Sequence, residues 1–203
     1  MSTPPNLQKL FRNPASFFAE LDEEPARNWP MIIIGGLALC YVFGNYLSVR
    51  YFFDGPILVG TLFGTAFAPL IILGWFAIGF VVISRLQDNE GSSRRIWTIT
   101  AYGLLPAWIG GLLTIVAALL ATPPTTTGTE TLVEFQQLTT SYYDQPVLRI
   151  AGLANSATFL VSGYLWIAGL QWANDCSRRD ATIAVVVMLG LSGLYQLSTG
   201  QLL

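Results

Sequence analysis

The stretch from Arg94 to Ala121, RRIWTITAYGLLPAWIGGLLTIVAALLA, constrains the chain more than any other. Two arginines open it, and from Ile96 to Ala121 it carries no charge, with Pro106 and the pair Gly110 and Gly111 inside. A bilayer core of roughly 30 Å needs about 20 apolar residues, so this run is long enough to cross one. Hydrocarbon offers no water to an unpaired backbone group, so the crossing segment is expected to be helical. Pro106 has no N–H to give the carbonyl of Tyr102, which predicts a kinked helix packed inside a bundle.

Composition agrees. Of the 203 residues 53% are hydrophobic and only 11% charged, against a charged share of about 25% in soluble domains. The chain reads as a polytopic, all-α membrane protein: a cytoplasmic segment over residues 1–29, then one membrane domain over 30–203. A net charge of −2 with basic residues scattered among several loops gives no footing for nucleic acid. There is no histidine, which removes the commonest general base and the commonest metal ligand together. The two cysteines, Cys40 and Cys176, are not spaced as metal ligands and imply no disulfide framework. No cofactor is expected. The first 29 residues lack the apolar core of a signal peptide, so the first hydrophobic segment is expected to stay in the membrane.

Taken in order, residues 1–12 are polar, carry two prolines and read as loose. From Asn13 the signals change: Asn is a good N-cap, Pro14 suits the first helical position, and Phe17, Phe18 and Leu21 fall on one face. This predicts a short amphipathic helix, either lying in the membrane interface or capping the cytoplasmic end of the bundle. Five spans follow, at about 31–49, 57–83, 96–121, 150–173 and 181–200. The connection RYFFDGP after the first span carries Arg50, Tyr51, Phe52, Phe53 and Asp54 and fits an interfacial belt. In the second span Gly60 and Gly64 stand four apart, a spacing that lets helices approach closely and makes a candidate packing seam. The longest loop, about Thr122 to Val147, is rich in threonine, and Leu132, Phe135 and Leu138 within it predict a short surface helix.

Orientation follows from the basic residues of alternate loops. Lys9, Arg12, Arg27, Arg85, Arg94, Arg95, Arg178 and Arg179 fall on one side, and only Arg50 and Arg149 on the other. The N-terminus is therefore expected in the cytoplasm and the C-terminus outside.

The chemistry of the spans is sparse. None of the five contains Asp, Glu, Lys, Arg or His, which counts against ion coupling, because an intramembrane charge is costly and marks function where it occurs. An intramembrane hydrolase would need a nucleophile beside a base, and neither a histidine nor a buried carboxylate is on offer. What remains is a set of helix breakers and neutral groups. Pro69 and Pro106 sit at comparable depth in consecutive spans, and paired interruptions of this kind can mark a groove. The fourth span contains the polar side chains Asn155, Ser156 and Gln171, the first two read as an interhelical hydrogen bond. Gly110 and Gly111 read as close helix packing, and Arg94, Arg95, Arg178 and Arg179 as contacts to lipid head groups or a partner.

Three stretches carry a family likeness: NPASFFAEL ahead of the first span, AYGLLP with Pro106 in the third, and YLWIAGLQWANDCSRRDA from Tyr164 to Ala181. In the last, Trp166, Gly169, Leu170, Ser177 and Ala181 fall where similar sequences place Trp, Gly-Leu, Ser and Ala. Together they resemble the Yip family, five-span proteins named for interaction with Ypt/Rab GTPases, in the compact form found in prokaryotes. The resemblance implies a membrane protein without established enzymatic activity that associates with its own relatives and, in eukaryotes, with small GTPases in vesicle traffic. The cytoplasmic N-terminal region of eukaryotic members is long, and here it is about 30 residues, which argues against GTPase binding. The expected function is a non-enzymatic scaffold or adaptor whose partners are membrane lipids, other membrane proteins or a second copy. The alternative is a passive conduit for a small neutral solute or lipid along the kinked second and third spans.

Overall fold

Local sequence signals set the helix ends. The structure, a computed structural model, describes residues 6–23, 28–89, 91–126 and 130–198. Among these the regular elements are all helical: α1 (Leu7–Arg12), α2 (Pro14–Glu23), α3 (Trp29–Val49), α4 (Gly55–Leu86), α5 (Ser93–Gly103), α6 (Leu105–Leu120), α7 (Leu132–Tyr143), α8 (Pro146–Asn174) and α9 (Arg178–Ser198). Four segments among the described residues are long and apolar enough to cross a membrane: α3, α4, α5 with α6, and α8. The fifth expected span is helical as α9 up to Ser198, and its last two residues lie outside the described ones.

The N-terminal segment departs from expectation. Residues 7–12 form α1 instead of a loose tail, because Asn6 caps it, its side-chain oxygen accepting from the Lys9 N–H at 3.3 Å, and because Leu10 is fully buried. Lys9 forms an ion pair with Glu20 of α2. The Asn13 side chain accepts from the Ser16 N–H at 3.3 Å, and Pro14 opens α2 as predicted.

The two prolines behave differently. Pro69 lies inside an unbroken α4. At Pro106 the expected kink is a true interruption: α5 stops at Gly103, Leu104 makes a turn, and α6 begins again at Leu105. The Leu104 N–H turns back to the carbonyls of Ala101 and Tyr102, so the group orphaned by Pro106 finds a partner locally.

The described residues fall into two compact units. The first takes those within Met1–Ile33, Leu70–Leu105 and Leu160–Leu203. Its core is aromatic: Trp166, fully buried, packs 4.4 Å from Phe76 and 5.6 Å from Phe80, ring centre to ring centre. Phe17 and Phe18 of α2 are buried in the same unit, Phe17 edge-on to Tyr102 at 5.2 Å and Phe18 stacked on Trp172 at 5.9 Å. The apolar face of α2 is thus turned onto α5 and α8. Polar ties join its helix ends, with Asn174 Nδ2 donating to Ser84 Oγ at 2.6 Å and Gln87 Nε2 to the Asp180 carbonyl at 3.2 Å.

The second unit takes Ile34–Pro69 and the described residues within Pro106–Phe159. Its core joins Leu47, Leu148 and Tyr142 to the small residues Ala117, Ala118, Ala121 and Ala151. The predicted loop helix is α7, opened by a capping box in which Thr131 Oγ1 accepts from the Glu134 N–H and Glu134 accepts from the Thr131 N–H. Gln145 closes the loop, its side chain bonding both the N–H and the carbonyl of Thr122, at 2.7 and 2.8 Å. Large apolar side chains on α4, among them Phe63, Ile71, Ile78 and Val82, are at least half exposed. A soluble domain would bury such residues, whereas on a helix of this length they face lipid.

Candidate functional site

Each unit holds one cleft of note. That of the first unit, about 370 Å³, is lined by the α1–α2 junction, the C-terminal half of α8 and the start of α9. Asn13 caps α2, which sets Arg12 and Asn13 at its rim, while Tyr164, Ile167 and Gln171 face it at three- and four-residue spacing along α8. Arg178 enters from the first position of α9. No carboxylate is among the lining residues that are described, and Arg12 and Arg178 are both exposed. The cleft can therefore receive an anion next to an apolar wall.

The cleft of the second unit, about 240 Å³, is lined by neutral groups, among them Asn45, Ser48, Thr65, Thr114 and Asn155. Asn45 Nδ2 donates to Thr65 Oγ1 at 2.6 Å, which ties α3 to α4 inside this unit. The buried Oδ1 of Asn155 has no hydrogen-bond partner.

The expected site residues are thus dispersed. Gln171 and Arg178 line the first cleft and Asn155 and Gly111 the second. Pro69 and Pro106, both buried, line neither. The expected interhelical bond at Asn155 and Ser156 is not formed: the Asn155 oxygen is unpartnered and Ser156 is exposed, because α8 turns the two neighbouring side chains to different faces. Gly110 and Gly111 do pack closely. A Cβ at Gly110 would overlap Asn155, and one at Gly111 would stand 3.0 Å from the Cβ of Cys40. Gly60 and Gly64 differ, having nothing within 4 Å of where a Cβ would stand, so within this chain they are no seam.

Of the four expected arginines, Arg94 and Arg179 are exposed, and Arg95 lies with its guanidinium 4.8 Å over the ring of Trp172. Arg50 packs on neighbouring tyrosines: its guanidinium donates to Tyr51 Oη at 2.7 Å and lies 5.8 Å over the Tyr46 ring. Outside the spans, Glu134 is held below the usual carboxylate range by the Thr131 backbone N–H, and burial pushes the Cys176 thiol up. Arg12 and Tyr164 were missed by sequence reasoning. Arg12 read only as a topology charge, and no local signal brings it to α8.

Apolar helices of spanning length and exposed aliphatic faces define a multi-pass integral membrane protein. The chain belongs to the Yip1 domain family, whose model matches residues 9–200. A relative is an uncharacterized protein of Methanocaldococcus jannaschii, 29% identical over 125 residues, covering 54% of this chain and 86% of that protein. No solved structure matches the chain. The Yip1 family is not known as an enzymatic one.

Proposed function

We propose that the protein is a non-enzymatic membrane scaffold or adaptor of the Yip type, working through lipid and protein contacts on its surface, with a second copy as one partner. One observation carries this reading. Among the described residues the hydrophilic ones buried as whole residues are Ser48, Ser84, Thr100, Thr158 and Ser162, and no Asp, Glu, Lys or Arg is buried with them. A buried proton relay or ion site needs such groups, so what the chain offers a partner is its surface.

In this reading α9 is the fifth span, α2 lies at the cytoplasmic interface, the N-terminus is cytoplasmic and the C-terminus outside. Support comes from the basic residues of alternate loops: Lys9, Arg12, Arg27, Arg85, Arg94, Arg95, Arg178 and Arg179 fall in one set and Arg50 and Arg149 in the other, the asymmetry that orients loops toward the cytoplasm.

A second reading, a passive path for a small neutral solute, draws on the neutral cleft of the second unit and the unpartnered Asn155 oxygen. The two readings separate by experiment. Crosslinking in native membranes should capture a second copy or another membrane protein, and liposomes should show no solute flux above empty vesicles. Strictly monomeric protein that captures nothing would sink the adaptor; flux would favour the path.

A further inference from the structure

We propose that the cleft of the first unit is a binding site for the phosphate of an anionic phospholipid, the acyl chains running down one face of α8. The idea goes beyond an adaptor role and needs only that α8 spans the membrane.

Two cations define the polar end. Arg12, at the end of α1, and Arg178, at the start of α9, line the same cleft, joined by the amides of Asn13 and Gln171. Neither arginine has an ion pair among the described residues: Lys9 takes Glu20, Arg149 takes Asp144, and Asp180 is bonded to Ser177. Guanidinium groups present several N–H donors in a planar fork that matches phosphate oxygens, and two of them over amide donors make a seat for one phosphate. Among the described residues no carboxylate lines the cleft beside them.

The occupant is a lipid and not a soluble anion because of what continues from the cleft. From Gln171, α8 presents Ile167, Tyr164 and then Leu160 at three- and four-residue steps, which is one helical face. Tyr164 is 50% exposed and Leu160 72%. A free phosphate makes no contact with such a strip, while the acyl chains of a bilayer lipid whose phosphate sits in the cleft lie directly against it. The volume of about 370 Å³ suits a glycerophosphate head group.

The test uses the full chain in detergent, with retained lipid counted by native mass spectrometry after incubation with phosphatidylglycerol or phosphatidylcholine. Phosphatidylglycerol should be retained in preference to phosphatidylcholine. Arg12→Gln and Arg178→Gln should each weaken retention about tenfold, the size of one charge-assisted hydrogen bond. Arg85→Gln, an exposed arginine outside the cleft, should change it by less than about twofold. All are surface substitutions, and an unchanged melting temperature checks the fold. Equal retention by the double variant R12Q/R178Q, or an equal loss in R85Q, would overturn the site. Competition by inorganic phosphate as strong as that by the lipid would overturn its assignment to lipid.

Discussion

The indole N–H of Trp166 donates to the backbone carbonyl of Thr100 at 3.2 Å, with both residues fully buried. In a continuous helix that carbonyl would accept from the Leu104 N–H, which here turns back to Ala101 and Tyr102. A side chain from α8 thus completes the helix break that Pro106 imposes, and Gly103 leaves room for it, since a Cβ there would overlap the indole ring.

Two substitutions test that arrangement. Gly103→Ala should destabilise the protein by about 1–3 kcal/mol through overpacking. Trp166→Phe should cost a similar ~1–3 kcal/mol by leaving a buried carbonyl unpaired. Reversible unfolding in mixed detergent would read both, and stability unchanged in G103A would mean that the ring is not held where it stands.

Gly60 and Gly64 should be silent for folding and not for association. With nothing near either position, Gly60→Leu and Gly64→Leu should leave the melting temperature within the ~0.5 kcal/mol range of surface changes. If copies of the chain meet on this face of α4, the double variant should lose the dimer captured by crosslinking. A dimer that survives it places the contact elsewhere.

The capping box of α7 makes a pH prediction. Glu134 has a carboxyl held below the usual range, chiefly by the Thr131 backbone N–H. A depressed folded pKa means that the stabilisation is complete above the unfolded value, near 4.5, and is lost as pH falls through the lower folded one. Hydrogen exchange of α7 amides should accelerate in that acid window in the native chain. In Glu134→Gln the step should vanish, and Thr131→Ala should cost about 1 kcal/mol of helix stability at neutral pH. An acid step persisting in E134Q would refute the assignment.

Orientation is open to a thiol probe. Cys176 is partly buried and its thiol is pushed up by desolvation, so in a Cys40→Ala background it should react slowly with maleimide at pH 7 and faster as pH rises. A membrane-impermeant maleimide should label it only in vesicles that expose the cytoplasmic side. Labelling of intact cells from outside would reverse the proposed topology.

Much of this was legible beforehand, and the reasons lie in particular residues. The capping signals at Asn13 and Pro14 and the helical spacing of Leu132, Phe135 and Leu138 are local, and α2 and α7 form where those residues stand. The break at Pro106 was legible as a missing donor, but its form was not, because the partner of the Thr100 carbonyl comes from sixty-six positions away. The GxxxG spacing at Gly60 and Gly64 is taken up by no neighbouring helix within the chain. Spacing says that a close approach is allowed and is silent on whether a neighbouring helix takes it up.

The amino-acid order alone determined that this chain is helical, multi-pass and charge-biased, because crossing hydrocarbon demands long uncharged runs with internally paired backbones. Only the tertiary structure decided which side chains share a cleft. Arg12, Gln171 and Arg178 belong to different helices, and what brings them together is the burial of Phe17 and Phe18 against Tyr102 and Trp172. Packing of that kind depends on the shapes of facing surfaces, which no single stretch of sequence contains.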